Sequence, residues 1–304
     1  MEYLLNIGVQ ISIFVILASS YNLVIGYGGL ASVAHPIFYA FGAYGASLFA
    51  IHFGLPAVIC VIAGGLIAVV ASVLLALSAL RISGDYLLIA SLGFQLGILQ
   101  LVRNFDFTGG AGGLADIPST ITGPMRSPIF LAICASCALA TVWLISRIIN
   151  GPYGRAITAM RDEELAFSAL GRNAMSIKVV VFAIGCGIAG IAGGLYAFYF
   201  QYVSPDQYEV LQSAAILTMV VLGGMGTTWG PVVGAMLLIA VPQAITFLNL
   251  PPSVMAPIQG IIFTSLVLLF LFVRPAGLVG GFGKKKVKAP AGAAQYETGG
   301  GTSK

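Results

Sequence analysis

The chain has 304 residues, of which 59% are hydrophobic and only 8% charged, with a formal net charge of +4. Because soluble domains usually carry about a quarter charged residues, this composition excludes a water-soluble protein. The Lys and Arg residues lie at the edges of apolar stretches and in a terminal tail, which indicates topology determinants and argues against nucleic-acid binding.

Charge-free stretches that are long enough to cross a hydrocarbon core of about 30 Å recur along the chain. They predict an all-α, polytopic transmembrane helical bundle that occupies residues 1–280. Nine spans are predicted, at about 3–25, 30–51, 56–80, 86–102, 129–149, 179–202, 209–223, 231–249 and 257–273. The seventh span is short for a full crossing and the second carries Pro36 near its start, so either one could be a half-helix that lines a cavity.

Positive charge collects in the loop 150–178, between the fifth and sixth predicted spans, which predicts that this loop is cytoplasmic. Counting spans outward from the loop gives a topology with the N-terminus outside and the C-terminus inside. The tail 281–304 is rich in Gly, Ala and Lys and has almost no large apolar residue, so it is predicted to be disordered and cytoplasmic.

The loop 150–178 contains a patterned segment, 151–171, that is too polar to span a membrane. Asp162 is predicted to cap a short surface helix at 163–170, and Gly171 is predicted to end it in a left-handed conformation. Residues at helical spacing give this helix a small apolar face with an acidic end, formed by Glu163, Ala166, Phe167 and Leu170. Two interpretations stay open: a solvated loop packed on its own bundle, or a face that fills a groove on a partner.

A glycine-rich segment, 223–234, separates two apolar stretches, and Pro231 is predicted to lie in the first turn of the helix that follows. No Lys follows its glycines, so it is not a phosphate-binding Walker A loop, and any nucleotide would have to bind another polypeptide. The segment either breaks a helix pair at a substrate path or gate, or packs two helices closely at a turn. The candidates for a helix break or gate are His35, Pro36, Gly223, Gly224, Gly226, Gly230 and Pro231.

Small residues in the sixth span include Gly190 and Gly194, a GxxxG pair that is typical of close helix packing. A second helix rich in small residues, at 42–47, is the predicted partner. Ionisable residues within the apolar stretches are few; His35 and Asp85 are the ones to weigh, and both could be interfacial. No residues converge as acid, base, nucleophile or metal ligands, so no catalytic, cofactor-binding or metal site is predicted.

The segments 154–171, 204–206, 223–231 and 274–278, taken in this order, resemble the LivM-type permease subunits of branched-chain amino-acid ABC importers. The resemblance covers nearly the whole chain up to about Gly280. It implies a non-catalytic transport subunit of the bacterial inner (plasma) membrane. The implied partners are a second related permease subunit, two cytoplasmic ATPase subunits that bind ATP and Mg, and an extracytoplasmic solute-binding protein.

The resemblance further implies that the cytoplasmic loop docks into the ATPase as the coupling element. The residues implied to take part are Gly154, Arg155, Arg161, Asp162, Glu163, Glu164, Ala166, Phe167, Leu170 and Gly171. The chain departs from the general importer motif, in which the Gly lies six residues after the Glu, because Gly171 lies seven residues after Glu164.

Three alternatives to an importer of branched-chain or related amino acids stay open. Helices broken by glycine also suit an ion-gradient-driven secondary transporter, although that class needs buried carboxylates or histidines, of which few are present. An ABC permease for urea or short amides fits the same sequence. A membrane enzyme is the third and most distant alternative.

Overall fold

A computed structural model describes residues 2–79, 85–118, 123, 125–246, 260, 264–265, 268, 272 and 277–279. The first half of the chain forms α1 (Glu2–Tyr21), a π-helix that continues it (Asn22–Tyr27), α2 (His35–Phe53), α3 (Ala57–Ala79), α4 (Asp85–Asn104) and α5 (Arg126–Ile149). The second half forms α6 (Pro152–Asp162), α7 (Glu164–Ala169), α8 (Ala174–Phe200), α9 (Val210–Gly223) and α10 (Gly230–Thr246). Short 3₁₀ turns lie at Asp106–Thr108, Gly110–Gly112 and Pro205–Tyr208.

The all-α class is confirmed for the described residues, and six of their helical stretches are long and apolar enough to cross a membrane. These stretches are Glu2–Tyr27, His35–Phe53, Ala57–Leu77, Tyr86–Asn104, Arg126–Ile149 and Ala174–Phe200. The predicted seventh and eighth spans correspond to the shorter apolar helices α9 and α10, of 14 and 17 residues. The predicted ninth span falls almost wholly outside the described residues, and the tail 281–304 lies wholly outside them.

The second span begins later than predicted, at His35, and is long enough for a full crossing. Pro36 occupies its first turn, where a missing backbone N–H breaks no helical hydrogen bond. The proline therefore starts α2 and does not interrupt it.

The centre of the bundle is a seam at which α2, α3 and α8 approach one another through glycines. A Cβ atom on Gly42 of α2 would collide with the backbone of Gly190 in α8, and one on Gly64 of α3 would collide with the carbonyl of Gly42. A Cβ on Gly194 would lie 3.1 Å from the Cα of Val61 in α3. Backbones this close gain van der Waals contact that a larger residue would prevent.

The helices run between two ends of the bundle, which we name after one arginine at each. The Arg161 end comprises residues 22–34, 151–173 and 224–229; the Arg126 end comprises residues 2–10, 105–118, 125–127 and 200–209. At the Arg126 end, the backbones of Leu114 and Val203 exchange two hydrogen bonds of 2.8 and 3.0 Å. Nearby, the Arg103 guanidinium lies 2.7 Å from the carboxylate of Asp206 and 2.6 Å from that of Glu209.

One buried amide fixes α4 to the turn that precedes α9. The Gln95 side chain donates to the carbonyl of Tyr208 over 3.0 Å and accepts from the Ser213 hydroxyl over 3.1 Å. Tyr208 is fully buried, and this burial raises the pKa of its hydroxyl well above the usual range. The phenol is therefore neutral at any physiological pH.

Candidate functional site

Helix α6 packs against α5, α8 and the π-helix at the Arg161 end. Gly151 has an extended backbone before the helix, and Pro152 follows in the first turn, where its fixed φ suits a helix start. Gly154, Ile157 and Met160 recur at a spacing of three residues and are all buried. A Cβ on Gly154 would collide with the carbonyl of Ile149, so α6 packs tightly against the end of α5.

The predicted short helix at 163–170 is confirmed as α7, Glu164–Ala169, but its predicted cap at Asp162 is wrong. Asp162 is the last residue of α6 and caps no helix; Glu163 then has an extended backbone (φ −149°, ψ 87°) and separates α6 from α7. The sequence pattern that favours a cap at Asp162 has no effect here, because helix α6 continues through Arg161 and Asp162. Gly171 has a φ of +76° and follows the last turn of α7 in the left-handed conformation, as predicted.

The predicted apolar face of this segment is split between the inside and the outside. Phe167 is buried in the core of the chain's own bundle, while Leu170 is 82% exposed. Leu165, which was not assigned to the face, is 86% exposed. The outward surface of α7 and its end is therefore carried by Leu165 and Leu170, which we call the leucine pair.

An ion pair holds α7 against α8. The Lys178 ammonium lies 2.6 Å from the Glu164 carboxylate, and the Lys178 side chain is only 9% exposed. Lys178 was interpreted as a topology determinant. Its burial also gives Lys178 a structural role, because a charge shielded from water needs an oppositely charged partner.

Arg161 connects α6 to the π-helix. Its Nη1 donates to the carbonyl of Gly26 over 2.8 Å, and its Nη2 lies 3.1 Å from the Asp162 carboxylate. Gly29 has a φ of +66°, and a Cβ there would lie 2.5 Å from the Arg161 Cγ. The arginine stem thus runs across a stretch of backbone that must be glycine.

Asn22 connects the π-helix to the glycine-rich turn. Its side chain is buried, donates to the carbonyl of Thr227 over 2.8 Å and accepts from the backbone N–H of Gly226 over 2.9 Å. A Cβ on Gly26 would lie 2.6 Å from the nitrogen of Gly226. We call Asn22, Gly26, Arg161, Gly226 and Thr227 the Asn22 junction, since they join α1, α6 and the α9–α10 turn.

The glycine-rich turn separates two helices and packs them closely, while its role at a substrate path or gate stays a prediction. Helix α9 ends at Gly223 and α10 begins at Gly230. Between them Gly224 and Gly226 have φ values of +116° and +71°, which only glycine adopts readily. A Cβ on Gly223 would collide with the carbonyl of Gly230, so the two helices also touch at the turn.

Residues 278–279, near the end of the chain, bond to the end of α9 at the glycine-rich turn. The backbone N–H groups of Leu278 and Val279 donate to the carbonyls of Leu222 and Gly223 over 2.9 and 3.1 Å. Parts of three of the four segments that carry the family resemblance, 154–171, 223–231 and 274–278, thus lie together at the Arg161 end. The fourth, 204–206, lies at the Arg126 end.

Of the two ionisable residues considered for a functional role, the structure describes the side chain of His35 but not that of Asp85. His35 is buried at the start of α2, with its Nε2 2.9 Å from the Ser20 hydroxyl, which is the arrangement of a satisfied core histidine. The side chain of Asp85 lies outside the described residues. Asn22 was not singled out from the sequence, although a lone amide at the end of an apolar stretch was a usable signal.

Together, the membrane-length helices and the peripheral segment bonded to their ends define a polytopic membrane protein. The comparisons with known proteins narrow this class. Residues 3–288 match the family described as the permease component of branched-chain amino acid transport systems. The chain belongs to this family, and the prediction of an ABC importer permease is confirmed.

Curated relatives agree with this assignment. The chain is 32% identical to the high-affinity branched-chain amino acid transport system permease protein LivM of Escherichia coli, over 94% of this chain and 72% of the relative. It is 27% identical to a probable LivM of Methanocaldococcus jannaschii, over 73% of this chain and 68% of the relative. It is 26% identical to the autoinducer 2 import system permease protein LsrC of Photorhabdus laumondii, over 57% and 52%. No solved structure matches the chain significantly.

Proposed function

We propose that this chain forms part of the path by which branched-chain or related amino acids cross the membrane, in an importer driven by separate ATPase subunits. The solute class follows from the LivM relatives, which are named for it. The proposed assembly contains a second related permease subunit, two cytoplasmic ATPases that hold ATP and Mg, and an extracytoplasmic solute-binding protein. Its proposed location is the bacterial inner (plasma) membrane.

The proposed topology places the Arg161 end in the cytoplasm and the N-terminus outside. Positive charge supports this orientation, because Arg147, Arg155, Arg161 and Arg172 lie in or next to the 150–178 segment, whereas acidic residues predominate in the opposite loops. An ATPase in the cytoplasm would then meet α6, α7 and the glycine-rich turn.

The leucine pair is the proposed contact with the ATPase. Leu165 and Leu170 project from a segment that is outside the predicted spans, and exposed apolar side chains in such a place mark an interaction surface. Phe167 is buried in the same short helix and anchors it. The predicted docking role of this loop is therefore kept, with its outward residues revised.

The Asn22 junction is the proposed route from that contact to the membrane helices. The observation that carries this proposal is the Arg161 bond to the Gly26 carbonyl, next to the two bonds of Asn22 to the glycine-rich turn. A displacement of α6 would pull on the ends of α1, α9 and α10 together. ATP binding and hydrolysis on the partner would act on the path through these bonds.

The test is to replace both leucines by aspartate in the complete importer, reconstituted in vesicles with its binding protein. We expect at least a tenfold loss of ATPase co-purification and of ATP-dependent leucine uptake, because the charges oppose burial at the contact. Phe105→Asp is the matched control, since Phe105 is an exposed apolar residue at the Arg126 end.

Full co-purification and full uptake by the double leucine variant would refute the docking surface. Uptake of leucine by wild-type vesicles that hold a proton or sodium gradient and no ATP would refute the energy source. The two outcomes are independent, so the docking residues and the class of transporter are tested separately.

A further inference from the structure

A polar cavity of about 370 Å³ lies at the Arg126 end, between α1, the start of α5, the end of α8 and α10. Side-chain amides and hydroxyls dominate its lining, which includes Asn6, Gln10, Arg126, Tyr199, Gln201 and Gln243. Its volume falls in the range of small-molecule sites. It is separate from the Asn22 junction, which lies at the opposite end of the bundle.

Arg126 supplies the charge of this cavity and is held in place by neutral groups. Its Nη2 donates to the backbone carbonyl of Tyr199 over 2.6 Å, at the end of α8. Its guanidinium carbon lies 5.9 Å from the ring centres of both Phe130 and Tyr199. Carbonyl dipoles and aromatic faces orient the guanidinium, but they do not neutralise it.

The charge of Arg126 has no counter-ion in the cavity wall, among the described residues that form it. Its Nε is buried and has no hydrogen-bond acceptor in the described structure. The other arginine at this end differs, since Arg103 forms ion pairs with both Asp206 and Glu209. A partly buried guanidinium without an anion is unfavourable, and a carboxylate is the ligand that matches its donors best.

The rest of the wall suits the other groups of an amino acid. The Tyr3 hydroxyl donates to the side-chain amide oxygen of Gln243 over 2.7 Å, and the Tyr199 hydroxyl donates to the side-chain amide oxygen of Asn6. Amide oxygens have two lone pairs, so those of Asn6, Gln10 and Gln243 can accept from an ammonium group. Ile7 and Phe200 add an apolar part to the same wall.

We propose that this cavity binds a zwitterionic α-amino acid at the outer end of the path, with its carboxylate on Arg126 and its ammonium on the amide oxygens. The identity of the solute as an amino acid rests on the proposed function. The preference for a carboxylate rests on the cavity alone. A lipid phosphate offers similar negative charge, so the test separates the two.

The test measures leucine binding by the membrane complex, without the binding protein, in nanodiscs of phosphatidylcholine. We expect Arg126→Gln to weaken binding at least tenfold, while leucinamide, which lacks the carboxylate, competes at least tenfold less well than leucine. Arg147→Gln removes the same charge from the opposite end of α5 and is expected to bind leucine like the wild type. Gln10→Leu leaves the carbonyl bonds of Arg126 intact and is expected to weaken binding to a smaller extent.

Three results would overturn the inference: wild-type binding by Arg126→Gln, equal competition by leucinamide and leucine, or loss of leucine binding when phosphatidylglycerol is added, which would identify a lipid site. ATP-dependent leucine uptake by the complete importer is measured in parallel. If wild-type uptake is present and Arg126→Gln behaves like the wild type in both assays, the cavity inference fails while the proposed function stands. If wild-type uptake is absent, the proposed function fails by itself.

Discussion

The seam between α2, α3 and α8 and the Asn22 junction both contain close glycine contacts, but the junction adds side-chain hydrogen bonds between distant segments. At the seam, backbones touch where Gly42, Gly64 and Gly190 leave no room for a Cβ. At the junction, two hydrogen bonds of Asn22 and one of Arg161 reach backbone groups that are 135 to 205 residues away in sequence.

We expect this difference to separate a rigid region from one that can change its contacts. A packed seam resists movement because any shift either makes atoms overlap or opens a gap where many atoms were in contact. A hydrogen bond contributes only about 1 kcal/mol net, and water or another carbonyl can replace it. On the proposed function, we expect the α2–α3–α8 core to stay fixed while α6 moves the ends of α1, α9 and α10.

The largest expected effect is on the seam. Gly42→Ala should lower the free energy of unfolding by about 3 kcal/mol, since its Cβ would overlap the backbone of Gly190, and backbone cannot rotate away. Unfolding of the purified chain in mixed micelles, followed by circular dichroism as the denaturing detergent is increased, measures the change. The matched control is Gly97→Ala in α4, because a Cβ there meets no atom within 4 Å in the described structure.

The control should be as stable as the wild type, since alanine favours helix more than glycine does. Equal destabilisation by the two substitutions would contradict a rigid glycine seam and would indicate that any added methyl group disturbs the bundle.

The next effect is on the junction. Asn22→Leu keeps a similar volume and removes two hydrogen bonds, so it should cost about 2 kcal/mol and leave a folded chain. Its main consequence should be functional: ATP hydrolysis by the complete importer continues, while the amount of leucine transported per ATP falls severalfold. Asn104→Leu is the control, because Asn104 is an exposed amide that bonds within its own helix. An unchanged transport ratio for Asn22→Leu would show that movement reaches the path without this residue.

Much of the fold was predictable because the membrane imposes a local rule. A charge-free stretch of about 20 residues must form a helix to satisfy its backbone, and the ranges predicted for the first six spans correspond to α1–α5 and α8. The exact ends were less predictable. The loop before His35 replaces the predicted start of the second span at residue 30, although its residues are apolar enough to belong to a span.

The site was predictable as a region but not as a set of contacts. The polarity of 150–178 and the glycines of 223–231 identified both halves of it. The partners of Asn22 are more than 200 residues away in sequence, and no periodicity encodes such a pair. The predicted cap at Asp162 was wrong because helix α6 continues as far as Asp162. Contacts between residues distant in sequence, such as that of Arg161 with Gly26, hold this helix in place.

The smallest expected effect tests whether shape alone holds the outer edge of the seam. The Tyr208 ring packs 5.3 Å from the ring of Tyr39, and a Cβ on Gly193 of α8 would collide with the carbonyl of Tyr39. The Tyr208 hydroxyl is buried and has no hydrogen-bond partner in the described structure. Tyr208→Phe keeps the ring and removes a buried hydroxyl without a partner, so the unfolding free energy should stay within about 1 kcal/mol of the wild type, on the stabilising side.

Tyr199→Phe provides the contrast for this prediction. Tyr199 donates to Asn6, so the same chemical change there should destabilise the chain by about 1 kcal/mol. The same micelle unfolding experiment measures both variants. A loss at Tyr208 as large as that at Tyr199 would mean that its hydroxyl binds a buried water molecule, and the outer edge of the seam would then depend on hydrogen bonds in the way that the Asn22 junction does.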